Sequence, residues 1–242
     1  MRNQFHTLLR RHGRDESGAS LVEYTVVLIL FLLVFGAILD FGRLGFNWVM
    51  TEKAMQRAAR IATVRPPVCT GVPEFHTVAG GGSPGTLCRA GGACASGGTQ
   101  TCILGTATAF ADCSTAAGSS TAKEIWCILE PILPSNASPN NIWVEYRYDW
   151  RMGFAGGPYT PMIEVGVVTQ DVVTAKTNIQ GTPSILLFDF ITPIPALAAM
   201  ASGAGSTTVI QDSGDAGSLA DIPFPDMSVS LPGEDLNHGI DG

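Results

Sequence analysis

Between residues 25 and 39 the chain reads TVVLILFLLVFGAIL, fifteen residues without a charge, and counting back to residue 19 gives twenty-one with Glu23 as the only charge. At about 1.5 Å per helical residue this stretch reaches about 31 Å, enough for the roughly 30 Å hydrocarbon core of a bilayer. A membrane-crossing helix is the reading, and the rest of the chain has to be arranged around it.

In front of it, residues 1–18 are mostly polar and carry Arg2, Arg10, Arg11 and Arg14, as a basic leader would. Behind it, residues 40–64 keep helix formers such as Ala, Met, Gln, Glu, Lys and Arg, and no proline intervenes before Pro66 and Pro67. One helix over 19–64 is therefore expected, with the span at about 19–40 and an amphipathic outer half at 41–64. In that outer half Leu44, Trp48, Met55, Ala58, Ala59 and Ala62 recur at spacings of three and four, opposite Lys53, Arg57 and Arg60. The apolar face should seat a globular head.

The expected head, residues 65–191, begins with a stretch rich in Gly, Ser, Thr and Cys that has few large aliphatic residues to close a core. Six cysteines, Cys69, Cys88, Cys94, Cys102, Cys113 and Cys127, fall there, an even number that suggests one to three disulfides and an oxidising compartment outside the cytoplasm. Six thiols allow fifteen pairings, among which spacing does not choose. They show no CxxC and no paired histidine spacing, so no metal site is read from them.

Further on, NIWVEYRYDW alternates, with Ile142, Val144, Tyr146 and Tyr148 on one face and Trp143, Glu145, Arg147 and Asp149 on the other. PMIEVGVV repeats the pattern, and the joining MGFAGGPYT is turn material, which predicts a long-looped antiparallel hairpin. SILLFDFI, residues 184–191, is a candidate third strand. A second membrane helix over 184–200 is opposed by Asp189, Pro193 and Pro195. Residues 192–242 hold seven acidic residues and no Lys or Arg among Gly, Ser, Pro and Ala, a composition expected to form a disordered tail. The fold class is thus α+β: a long N-terminal helix, a small antiparallel-sheet head with disulfides, and a flexible tail.

Charge excludes one large class of function. With 14 Lys and Arg against 21 Asp and Glu the net charge is -7, which offers no basic surface for nucleic acid. Catalytic motifs are accidental. Gly81, Ser83 and Gly85 fit G-x-S-x-G, but Pro84 and the flanking glycines supply neither strand nor helix; a hydrolase using Ser83 would lose its activity on Ser83→Ala. Gly80, Gly82 and Gly85 fit G-x-G-x-x-G by composition alone. His76, a possible base for Ser83, is expected to be solvated. Asp212 and Asp215 lack EF-hand spacing. Trp143, Tyr146 and Tyr148 are conceivable sugar platforms, though half of them should face the sheet's core. The chain is read as a non-enzyme without a cofactor.

The informative residues are Gly18, Ala19, Glu23 and Tyr24, where the basic head meets the apolar helix. An ionised group at mid-bilayer costs about 2.5–3.5 kcal/mol on insertion scales and calls for a partner. Glu23 lies about one turn inside, where snorkelling to the headgroups is the bland account. Here the chain resembles type IV pilin and pseudopilin precursors, and the Glu23-Tyr24 pair resembles the form used by Flp/Tad (tight adherence) pili. The continuation to Val64 is similar to the TadE-like family, which shares an acidic-x-Gly-Arg step, here Asp40, Gly42 and Arg43, and an Ala-Ala-Arg helix, here Ala58, Ala59 and Arg60.

The resemblance implies a pilin-like fold, a minor pilin or pseudopilin role in pilus assembly and adhesion, and cleavage by a prepilin peptidase between Gly18 and Ala19. It further implies that Glu23 meets the new amine of a neighbouring subunit. Implied partners are that peptidase, other pilins, the inner-membrane assembly machinery and the lipid bilayer. The implied location is the bacterial inner membrane with the head in the periplasm, and an extracellular pilus after assembly. Positive charge does not fix the orientation, because Arg43, Lys53, Arg57, Arg60 and Arg65 balance the leader. Two other readings stand beside it: an uncleaved, single-pass anchored periplasmic binding module, and a secretory signal peptide cut near Ala37.

Overall fold

The computed structural model describes residues 16–80, 82–106, 113, 120–176, 178–188, 190–192, 222–234 and 236. Helix α1, Glu16–Val64, runs 49 residues without a break, about 74 Å at the helical rise. No proline interrupts it, and Pro66 and Pro67 end it immediately afterwards. Side chains from residue 20 to residue 35 are exposed, so the apolar run has no protein cover. Among the described residues, this is one helix long and apolar enough to cross a membrane.

The head follows as β1 Thr99–Ile103, α2 Thr121–Leu129, β2 Ile142–Arg147, β3 Met162–Val167, α3 Gln170–Ala175, β4 Ile179–Gln180, β5 Leu187–Phe188, β6 Ile222–Pro223 and β7 Ser228–Pro232. The main sheet has the order β4-β1-β2-β3-β7, and β5 pairs with β6 apart from it. The expected hairpin is present, β2 against β3 antiparallel with Val144 opposite Val165 and Tyr146 opposite Ile163. The sheet is mixed rather than purely antiparallel, because β4 joins β1 in parallel.

One face of the sheet packs on α1. Ala54, Met55, Ala58, Ala59 and Ala62 are buried with Ile125, Trp126 and Leu129 of α2 and with Val144, Tyr146, Ile163 and Val165 of the sheet. Four alanines on that stripe let the sheet approach the helix backbone closely. Leu44 packs at the margin, but Trp48, expected on the same face, is 47% exposed. It lies about 12 Å along the axis beyond Asp40, about one turn before the buried stripe that begins at Thr51.

The opposite sheet face, which carries Trp143 and Glu145, is covered as well. Ile103 and Trp143 form a second cluster with Val168 and Val172. Glu145 is buried there and faces Glu164 directly across the β2–β3 ladder, a like-charge pairing that costs stability unless it is compensated. Lys176 supplies the compensation, its Nζ 2.5 Å from Glu145 Oε2 and 4.0 Å from the centre of the Trp143 ring. The Thr101 hydroxyl donates to the same Glu145 oxygen at 3.1 Å, and Ser228 donates to Glu164 at 2.7 Å.

Two expectations change at the C-terminal end. Among the described residues of the candidate strand over 184–191, Leu187–Phe188 forms a strand, and it pairs with β6 instead of joining the main sheet. Ser184 O is held by Asn141 Nδ2 and Leu187 O by Asn136 Nδ2, while the Ser184 N–H donates to Asn140 O at 3.0 Å. The expected tail does not begin at residue 192 for good: β7 returns to the main sheet and pairs antiparallel with β3, Val229 opposite Val165 and Leu231 opposite Ile163. The residues around it, 193–221 and 237–242, and the leader residues 1–15 lie outside the described residues.

All six cysteines pair, Cys69 with Cys102, Cys88 with Cys94 and Cys113 with Cys127. The first ties the chain leaving α1 to β1, and the third ties the segment before α2 to that helix. Residues 74–95 and 152–160 form a side lobe without regular strands. It is held by paired backbone bonds such as His76 N–H to Gly157 O and Gly156 N–H to His76 O, both 2.8 Å, and Cys88 N–H to Gly153 O at 3.1 Å.

Candidate functional site

The N-terminal motif stands on an uncovered helix. A Cβ at Gly18 would meet nothing within 4 Å, and the lack of a side chain lowers the local helix propensity by about 1 kcal/mol relative to Ala. Glu23 is exposed and Tyr24 is 66% exposed. Thr25 next to them turns its hydroxyl back to Val22 O at 2.8 Å, so this hydroxyl is satisfied within the helix. Among the described residues no cation pairs with Glu23. The side chain of Ala19 lies outside the described residues.

The Asp40, Gly42 and Arg43 step lies about 25 Å further along the axis from Glu23, so the two motifs do not share a site. The Asp40 side chain is buried. Its Oδ1 accepts the Ile191 N–H at 3.3 Å and its Oδ2 accepts the Thr192 N–H at 2.9 Å, while the Thr192 hydroxyl also donates to Oδ2. Arg43 approaches the same carboxylate at 3.7 Å and lays its guanidinium 5.7 Å from the Phe188 ring centre. Phe41 meets Phe190 edge to face at 6.3 Å, and Phe190 meets Phe188 in the same manner at 5.1 Å.

These contacts form a clasp. A carboxylate on the helix holds two consecutive backbone amides of the segment leaving β5, flanked by three aromatic rings and a guanidinium. Charge-assisted bonds of this kind are about twice as strong as neutral ones. Sequence reasoning found Asp40 and Arg43 but missed Ile191 and Thr192, whose backbone amides carry no signal in the side-chain pattern. Gly42 faces open space, and nothing in the structure explains its lack of a side chain.

Other candidates resolve more simply. His76, expected in solvent, is buried between Tyr159, 5.0 Å away by ring centres, and Tyr148 at 6.0 Å. Burial holds its pKa below the ordinary histidine value. Its Nε2 lies 3.2 Å from both the hydroxyl and the amide of Thr160, while Ser83 sits exposed in a turn with neither strand nor helix beside it among the described residues. Trp143 and Tyr146 are buried, so they form no platform with Tyr148 for a sugar. The Trp143 indole N–H is used by Val167 O at 2.9 Å. Asp212 and Asp215 lie outside the described residues.

No curated protein and no solved structure matches the chain. Residues 18–60 match the family model described as TadE-like protein, so the N-terminal helix, from the turn bearing Glu23 to the face that seats the head, is similar to that family.

Proposed function

We propose that this chain is a minor pilin or pseudopilin of the Flp/Tad type, cut after Gly18 by a prepilin peptidase and built into a pilus through its N-terminal helix. The observation that carries the reading is Glu23, a carboxylate without a described partner on an uncovered apolar helix, within a TadE-like match that begins at residue 18. Cleavage removes the four leader arginines and leaves ten basic and nineteen acidic residues. It also creates an ammonium on Ala19, about 6 Å along the axis from Glu23. Within one helix that amine lies a turn away from the carboxylate. Between staggered neighbours the two meet, and two charges that are each costly in lipid neutralise one another.

Pairing sets the axial register, and the aliphatic side chains of residues 26–38 supply the packing between helices. The head stays on the far side of the membrane, where its thiols are oxidised, and the assembled pilus serves adhesion. The inner-membrane assembly machinery and other pilins are the partners. Glu23→Ala should leave membrane insertion intact while abolishing incorporation into pili, read by immunoblot of sheared filaments against the membrane fraction. Normal incorporation of this variant contradicts the pairing, whereas absence of the wild-type chain from sheared filaments favours an uncleaved, anchored periplasmic module.

A further inference from the structure

The side lobe contains a group of side chains that pilus assembly does not use. His76, Cys88 and Cys94 are all buried, and one ligand atom from each lies within 4.8 Å of the others. Cys88 and Cys94 are joined as a disulfide, with Cα atoms 5.0 Å apart. His76 Nδ1 is buried without a hydrogen-bond partner. An orphaned polar atom in a folded interior calls for an explanation, and the two sulfurs grouped with this imidazole are soft metal ligands once they are reduced.

We propose that in the dithiol state, in which every new chain is made, Cys88, Cys94 and His76 form a three-ligand site for one thiophilic d10 cation of the Zn(II) or Cu(I) class. Binding replaces the two thiol protons: the metal ion forms two bonds to sulfur and one to Nδ1, and two protons leave to solvent. Oxidation by a thiol oxidant removes two electrons from the sulfurs, forms the S–S bond and releases the ion.

The scaffold supports this without the disulfide. Backbone bonds hold each ligand's segment separately, His76 through Gly157 and Gly156, Cys88 through Gly153, and the Cys94 region through Ala95 N–H to Thr77 O and Ala79 N–H to Ala93 O. The bridge spans six residues, the shortest separation of the three, so opening it relaxes the chain least. Tetrahedral zinc with bonds of about 2.3 Å needs sulfurs about 3.8 Å apart, a separation reached by side-chain rotation on Cα atoms 5.0 Å apart. The Thr160 side of the ring serves either tautomer: Nε2 accepts the amide N–H, or as N–H it donates to the hydroxyl, both at 3.2 Å. The second arrangement frees the Nδ1 lone pair for a metal, with Thr160 orienting the ring.

The test uses the full chain in detergent, reduced with a dithiol and freed of it under anaerobic conditions. It is then titrated with Zn(II) in one arm and Cu(I) in the other against a chromophoric chelator, with stoichiometry read by native mass spectrometry. Reduced wild type should bind one ion more than Cys88→Ser/Cys94→Ser, and oxidised wild type should not. His76→Gln should lose more than the roughly 10–100-fold that a supporting contact is worth. Equal stoichiometry in reduced wild type and the double serine variant overturns the proposal, as does unchanged affinity in His76→Gln. X-ray absorption on the loaded wild type depends on no variant: two sulfurs and one nitrogen confirm the site, and a shell without nitrogen, or with fewer sulfurs, contradicts it.

Discussion

Asp40 shows how much one residue can hold. Replacing it by alanine removes the acceptor for two backbone amides and a hydroxyl and leaves those donors in a part-buried setting, at a cost of about 3 kcal/mol. Asp40→Ala should therefore speed hydrogen exchange at the Ile191 and Thr192 amides by roughly 100-fold, with the β2–β3 amides unaffected. Equal protection in both proteins removes the clasp from the account. Tyr146 gives a second test. Burial pushes its phenol up to about 12, against the effect of the Val68 N–H that it accepts at 3.2 Å, and burial with Tyr148 nearby pushes Tyr159 up to about 12 as well. In the unfolded chain a phenol titrates near 10. Between about pH 10 and 12 the folded state keeps protons that the unfolded state has shed, so stability falls as pH rises through that window and is fully present below it, by at most about 3 kcal/mol per phenol. Absorbance titration of the folded protein should show two of its four tyrosines ionising near 12; four ionising near 10 while the fold persists contradicts the packing described.

At the scale of elements, the sheet shows which signals a sequence carries. Alternation located β2 and β3 because Val144, Tyr146, Ile163 and Val165 occupy every second position facing α1. The same alternation put Trp143 and Glu145 on the other face without showing what covers it, since it reads the chemistry of a side chain and not what lies above it; Lys176 and α3 cover them from about thirty residues away. His76 was misjudged for a like reason, its cover coming from residues 148–160. Strand β7 was hidden because serine alternates with Val229 and Leu231 inside an acidic, Gly- and Pro-rich stretch whose average composition masks five residues of pattern. Helix α1 was plain because an apolar run, absent proline and a Pro-Pro stop all agree. Gly166 tests the sheet directly. A Cβ there would meet the Trp143 ring at 2.8 Å and Met227 O at 2.9 Å, an aromatic plane and a backbone atom that yield little. Gly166→Ala should destabilise the head by about 2 kcal/mol, lowering its Tm by roughly 4–8 °C; an unchanged Tm shows that the indole is not packed on that glycine.

For the whole molecule, the division of labour follows from where apolar surface is covered. The head closes its small core with three cross-links, worth about 4 kcal/mol for the longest loop, about 3 for the middle one and about 2 for the shortest by chain entropy. It turns one sheet face onto the outer half of α1 and secures the far end at Asp40. Below that point the helix carries no head, and its apolar surface is left to lipid or to other helices. The TadE-like match covers this bare part together with the first head-bearing turns, while the lobe, the sheet and the clasp partners lie beyond it. The proposal that the bare helix is an assembly element rests on Glu23 acquiring a mate by proteolysis. The most direct measurement is the N-terminal sequence of the protein extracted from membranes of cells that express a prepilin peptidase. The account predicts a chain that begins at Ala19, and a chain that still begins at Met1 contradicts it.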